Sequence, residues 1–420
     1  MAIQMSTAYE FGRSSYGGRA RAAIALTCAA VSVLLAWPRE SASAEAEPLS
    51  GVAAAIDASP PVAEPVPPPV PLYVPDPIDT DSFAGLPSAV MPPEPPQWPR
   101  WFTGATGLVM TRTLPSGTPT MKPLAGVPQL RTSSAAVSWP GGVDLHIGRW
   151  FGPRQRNAVE VIYWGVYGMD SSAAVAGSGI SAIPQASSAT VGGLPATDYL
   201  SGATAQQIGR SDLVNDVEVN WLYALGDRPE FLSRDPADGS RPMSLIWLAG
   251  FRFFQLEDVL TLATTSGDPA LAATPLDFAV ATNNNLYGGQ MGAKFDWRLL
   301  PRVRFSTVSK FMLAGNTITN TSSLATSTGT PAVFASGAPV NVHSTLGVFS
   351  WLGSADTGLA WDVTDHWSLS VGYRVVGVGN IAQADGQWPG DITTAADLSA
   401  ITAGSSTIIH GGFAGFEARY

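Results

Sequence analysis

The sequence predicts an all-β protein: a closed antiparallel transmembrane β-barrel of about ten strands, preceded by a signal peptide and a disordered Pro-rich segment. Three observations predict it. Segments with period-two alternation recur from Trp101 to Tyr420. The connections between them alternate short and long. The composition is poor in charge but has no long apolar runs. Of 420 residues only 13% are charged, about half of the ~25% usual in soluble domains. Mean hydropathy is nevertheless only +0.13. Helical spans need about 20 consecutive apolar residues, and only residues 22–37 (AAIALTCAAVSVLLAW) come near that.

That apolar run reads as part of a signal peptide over 1–44. Arg13, Arg19 and Arg21 precede it, and Ala42-Ser43-Ala44 is a small-residue cleavage site. Cleavage would remove Cys28, the only cysteine, so no disulfide or thiolate chemistry is expected. It would also remove Arg13, Arg19, Arg21 and Arg39 against Glu10 and Glu40, taking the formal charge from −10 to near −12. Such an acidic chain does not suit nucleic acid. Residues 45–99 form a Pro-rich periplasmic linker. Its runs of proline lack the backbone donors that helix and sheet require, so an extended, semi-rigid conformation is expected. The segment reads as a plain spacer, with a tether that contacts the cell wall or a partner domain as the sharper alternative.

The barrel is expected over 100–420. Ten strands are predicted, at 101–113, 142–151, 157–168, 212–225, 244–258, 284–299, 302–320, 346–363, 366–380 and a closing strand that ends at Tyr420. Several exceed the ~9–11 residues that cross a bilayer when tilted, so they are expected to project beyond it. The short-turn side has GPRQR, Leu300-Pro301 and Thr364-Asp365, together with a longer connection, GDRPEFLSRDPADGSRP, at 226–242. Long connections lie near 114–141, 169–211, 259–283, 321–345 and 381–405. Outer-membrane barrels have short periplasmic turns and long extracellular loops. An even strand count then puts both termini in the periplasm. The loop SSAAVAGSGISAIPQASSATVGG has no evident periodicity and is expected to be flexible.

Alternation assigns the faces. In 212–225, Val217, Val219, Trp221 and Tyr223 share one side, and Asp216, Glu218 and Asn220 the other. A barrel turns the first set to lipid. The same parity makes Asp216, Glu218, Arg252, Lys294, Asp296, Lys310, Asp356 and Arg374 lumen-lining candidates, with Asp144, Glu160 and Glu417 also inside. Glu218 and Arg252 are expected to pair across a hairpin. The slight acidic excess hints at a preference for cations. Trp101, Trp150, Trp221, Tyr223, Trp297, Trp361 and Trp367 are expected to form an aromatic rim on the short-turn side. In the closing strand, Phe416, Ala418 and Tyr420 face lipid. Phe416 and Tyr420 are read as the barrel-assembly signal, which makes the assembly machinery a partner alongside outer-membrane lipid.

The four histidines form no HExxH-like pair, and no P-loop, GxSxG elbow, EF-hand or dinucleotide fingerprint occurs. No catalytic residue, cofactor or metal is expected.

The order of segments resembles a known family, the putative β-barrel porin-7 family of bacterial outer membranes. WFTGATGLVMTR, GGVDLHIGRWF, AVEVIYWGVYG, LVNDVEVNWLY, GFRFFQLED, NNNLYGGQMG, SWLGSADTGLAWDVTDHWSLSVGYRVV and HGGFAGFEARY carry the resemblance. It implies an outer-membrane barrel and supplies no functional residues. The leading expectation is a narrow porin, since ten strands lie near the limit at which side chains fill the interior. The alternative is a non-conducting structural or surface-interaction barrel tethered to the envelope. A loop-sited enzyme is the third reading.

Overall fold

The computed structural model describes residues 99–226 and 242–420. The expected signal peptide, and the expected linker up to residue 98, lie outside the described residues. Among the described residues, ten long strands form the predicted set. They are β1 (Trp101–Arg112), β2 (Gly141–Phe151), β3 (Asn157–Val166), β5 (Ala203–Ala224), β6 (Met243–Thr265), β7 (Leu276–Leu300), β8 (Val303–Thr326), β9 (Asn341–Asp362), β10 (Trp367–Ile381) and β11 (Ser405–Arg419). An eleventh, β4 (Ser171–Ile180), lies outside the ring.

Sequential neighbours pair antiparallel, β1 pairs with β11, and β3 pairs with β5 from Asn157↔Tyr223 to Val166↔Val214. Each of the ten therefore has two partners, and the sheet returns on itself. A ring leaves no run of unpaired backbone N–H and C=O groups. At the seam, Trp101 N–H donates to Tyr420 O at 2.8 Å and Tyr420 N–H donates to Trp101 O at 3.0 Å. Gly411 makes close approach there possible, because a Cβ would lie 2.0 Å from Val109 O.

β5 to β9 run 22–25 residues, well past β1, β2 and β3. The tall strands take up much of the segments expected as loops at 259–283 and 321–345. Loop 171–193 is also corrected. Its first ten residues are β4, paired from Ser171↔Arg210 to Ile180↔Ala203. β5 outruns β3 beyond Val214, and β4 supplies the hydrogen-bond partners that β3 cannot reach. Its alternation is invisible in sequence because Ser, Ala and Gly differ so little in polarity.

Residues from all five long connections, among them Met121, Leu200, Leu271, Phe334 and Trp388, pack with Ile208, Leu262, Phe278 and Leu324 into one apolar core. Trp388 Nε1–H donates to Ile183 O at 2.9 Å, and its ring meets Phe278 edge-on at 5.0 Å. The long connections are thus a folded cap. Within it, the Thr394 and Thr393 N–H groups donate to Asp397 and hold its carboxyl below the ordinary 3.8.

Candidate functional site in the lumen

Inward-facing residues alternate with outward ones along every ring strand, and the inward set is layered. On β6, read from the short-turn end, Ile246 and Leu248 are followed by Arg252, then Phe254 and Leu256, then Asp258, then Leu260 and Leu262. β5 repeats the order with Leu222, then Asn220, Glu218 and Asp216, then Val214, then Asp212 and Arg210, then Ile208. The antiparallel register sets Glu218 opposite Arg252, Val214 opposite Leu256 and Asp212 opposite Asp258, so the layers match in height.

The first polar layer holds most of the sequence-predicted residues. Arg252 Nε–H donates to Asp216 at 2.6 Å and its Nη1–H to Ser354 at 3.3 Å, and Glu218 lies 3.7 Å away. Glu218 lies directly opposite Arg252 in the register, yet its shortest bond comes from Lys310 Nζ at 2.7 Å. Asn220 and Gln290 also donate to Glu218, at 2.9 and 2.8 Å. Arg374 bridges Asp144 at 2.6 Å and Asp356 at 2.8 Å. Asp296 lies 3.9 Å from Arg304. Lys294 faces the same space but makes no hydrogen bond or ion pair among the described residues, and neither does Glu160. Charges out of bulk water are tolerated when paired and hydrogen-bonded, which is how Asp216, Glu218 and Arg252 are held.

Above this layer lies a contiguous apolar cluster. It takes inward side chains from nine of the ten ring strands, including Met110, Trp164, Val214, Phe254, Leu286, Met312, Leu352, Val376 and Ile409, all essentially without solvent access. Trp164 joins the two layers. Its ring packs against Phe254 at 6.2 Å, and the Arg374 guanidinium lies 5.3 Å from its centre.

A second charged layer follows. Arg112 binds Asp212 at 2.6 Å and Asp258 at 3.0 Å, while Arg210 binds Asp258 at 2.7 Å and Asp385 at 2.6 Å. Asp385 comes from the β10–β11 connection, which turns into the lumen after Asn380. Asn380 takes the left-handed conformation (φ 59°), one that asparagine tolerates better than most residues. Asn284 clamps this segment with two bonds, Nδ2–H to Ala382 O at 2.7 Å and Oδ1 from Ala382 N–H at 2.9 Å. Ala384 N–H donates to Asp258 at 3.0 Å. Residues 381–387 therefore plug the barrel beneath the cap.

At the short-turn end a cavity of about 460 Å³ reaches the rim. Its floor is the first polar layer. Five carboxylates (Asp144, Glu160, Asp296, Asp356, Glu417) and five cations (Lys294, Arg304, Lys310, Arg374, Arg419) line it, with His146. Among these ten side chains the charges balance, whereas the deeper layers add more carboxylates than cations.

On the outer face Trp101, Trp221, Tyr223, Trp297, Trp361 and Trp367 are exposed near the short-turn rim, and Phe416 and Tyr420 are exposed beside them. Ala418 shares their face but is covered, standing opposite Trp367 in the register. Trp150 is a correction. It is only 3% exposed and packs inward near Phe102, Leu222 and Leu248. The even-numbered residues of β2 face the lumen, so Phe151 takes the rim position. Gly148 leaves room for the Phe102 ring, since a Cβ would lie 2.1 Å from its tip.

The sequence profile described as Putative beta barrel porin-7 (BBP7) matches residues 117–407, well over half of the chain. The chain belongs to the putative beta barrel porin-7 family. No curated protein matches it. Solved structures similar to this porin-7 chain include the outer membrane protease OmpT from Escherichia coli, at 11% identity and a TM-score of 0.43, covering 78% of this chain and 99% of that one. A major outer membrane protein from Thermus thermophilus aligns at 10% identity and a TM-score of 0.26, over 76% and 98% of the two chains. The P. putida toluene transporter TodX aligns at 8% and 0.27, over 78% and 91%. At such scores these likenesses carry no argument about activity.

Sequence reasoning missed Arg112, Arg210, Asp212, Asp258 and Asp385. Parity could have found two of them, because Arg210 and Asp212 continue the inward series of Asp216 and Glu218. Asp385 carries no such signal.

Proposed function

We propose that this porin-7 chain is a bacterial outer-membrane β-barrel that is closed to solutes at rest and acts as a structural or surface-interaction barrel. The short turns and both termini face the periplasm, and the folded cap faces outward. The observation that carries this reading is the apolar layer drawn from nine ring strands, lying between two charge-paired layers. A water-filled porin has a polar interior. A dry cluster centred on Trp164, Phe254 and Met312 denies ions both water and counter-charges. The reading assigns the chain no catalytic step.

The outer surface supports the membrane placement. Trp361 and Trp351 on β9 are ten positions apart, as are Trp297 and Tyr287 on β7, and all four are exposed. Ten residues at about 3.4 Å, tilted about 40°, span about 25 Å, the height of the apolar band of such barrels. Past that band the outward residues become Asn283, Asn285, Thr317, Thr319 and Gln255. Tyrosine hydroxyls mark the upper edge: Tyr163 donates to Asn215 at 3.1 Å and Tyr287 bonds Thr317 at 2.8 Å. Such half-wet rings belong at the headgroup level.

A second reading, the narrow porin, is favoured by the family description and by the cavity that already opens one end. It requires the 381–387 segment and the Trp164 layer to move. Liposome swelling separates the two. Proteoliposomes of the refolded chain in an isosmotic small sugar or glycine are expected to swell no faster than empty liposomes. Rapid swelling would establish the porin reading.

A further inference from the structure

The vestibule at the short-turn end has the properties of a ligand site rather than of a mere gap. Its volume of about 460 Å³ lies within the ~300–1,000 Å³ of small-molecule pockets. It ends blindly on the first polar layer, so a molecule that enters must leave by the same mouth. Aliphatic and aromatic side chains, among them Ile162, Leu248 and Phe413, form much of the wall. Its five carboxylates and five Lys or Arg side chains cancel, so it has no reason to favour a simple cation or a simple anion.

Within that balance two charges stand apart. Every other lining carboxylate and cation has an ion pair within 4 Å. Glu160 and Lys294 have no such pair, and no hydrogen bond, among the described residues. They sit on β3 and β7, three positions apart around the ring. With strands about 4.8 Å apart, their backbones stand on different walls, and Glu160 feels the charges of His146, Lys310 and Lys294 without an ion pair inside 4 Å. One unpaired anion and one unpaired cation, separated across an otherwise neutral and partly apolar cavity, match a molecule with the opposite charges at its two ends. The amine and carboxylate of a short peptide lie several bonds apart, and the side chains between them can cover the apolar wall.

We propose that the vestibule binds short zwitterionic peptides with apolar side chains, the amine on Glu160, the carboxylate on Lys294 and the side chains against the apolar wall. Each contact is a charge-assisted hydrogen bond in a partly desolvated site. The proposal is independent of whether the lumen conducts.

The test is isothermal titration of the refolded full chain in detergent with three probes: the dipeptide Leu-Phe, its N-acetyl derivative and its C-terminal amide. Saturable one-to-one binding of Leu-Phe is expected, weakened about tenfold or more by either cap, as for loss of a hydrogen bond to a charged group. Glu160→Gln is expected to abolish discrimination against the acetyl cap alone, and Lys294→Gln discrimination against the amide alone. The double exchange E160K/K294E is expected to restore binding, because a zwitterion can turn end for end. Absence of saturable Leu-Phe binding to the wild-type chain overturns the proposal. So does equal binding of all three probes, which marks adsorption to apolar surface. Both of these arms use the unaltered protein, so they stand even where a variant fails to fold.

Discussion

Arg252 shows how single residues hold the interior together. Its guanidinium is buried, donates to Asp216 at 2.6 Å and lies 3.7 Å from Glu218. Removing the cation leaves Asp216 without its ion-pair partner in a site closed to water. Breaking a buried pair from one side costs about 3–5 kcal/mol. Arg252→Met is therefore expected to lower the unfolding free energy of the refolded barrel, read from urea titration, by an amount of that order. Adding Asp216→Leu should recover most of the loss, because an apolar replacement of the whole pair is often neutral. A double variant no more stable than Arg252→Met would mean that the pair is not what Arg252 contributes. The sequence points to Glu218 as the partner of Arg252, and that pair forms at 3.7 Å, but Asp216 is the closer one. The hairpin register sets Glu218 opposite Arg252, but Lys310, 92 positions away, competes for Glu218. Such competition depends on side chains from a non-adjacent strand, and no local pattern encodes it.

At the scale of elements, β11 joins the two ends of the chain. Phe416 and Tyr420 point outward, and Phe416 packs against Trp367 with ring centres 5.8 Å apart. Neither belongs to the apolar seal. Phe416→Ser and deletion of Tyr420 are each expected to reduce the amount of heat-modifiable barrel in the outer membrane several-fold. The resistance of the lumen to ions, per folded molecule, should not change. Normal outer-membrane levels would show that the closing strand carries no assembly signal. The strands themselves were readable because parity repeats over many residues. Asp216, Glu218 and Val217, Val219 declare their faces without any knowledge of neighbours. The single miss in the rim, Trp150, arose where Trp150 and Phe151 both have aromatic rings and only the inward parity of Asp144 and His146 decides between them. β4 was illegible for a different reason. Ser, Ala and Gly carry too little contrast, and the strand exists only because β5 outruns β3.

The whole molecule is a stack. A charge-balanced vestibule, a paired polar floor, a dry apolar layer, a second paired layer with the 381–387 plug, and a folded cap follow one another from the short turns to the long connections. None of these layers is continuous in sequence. The dry cluster gathers residues from Leu108 to Ile409, and Arg210 meets Asp385 across 175 positions. A sequence shows which side chains face inward, but their heights follow from ten registers at once. The expected narrow channel and the observed filled interior differ for that reason.

The central claim is that the Trp164 and Phe254 layer, with the plug above it, closes the lumen. Single-channel recording in planar bilayers tests it most directly. Refolded wild-type chain is expected to insert without conductance steps. A variant in which 381–387 is replaced by a Gly-Ser segment and Trp164 by alanine is expected to show discrete steps from the same amount of folded barrel. Regular, uniform steps from the wild-type chain, at the same level with and without those changes, would contradict the account.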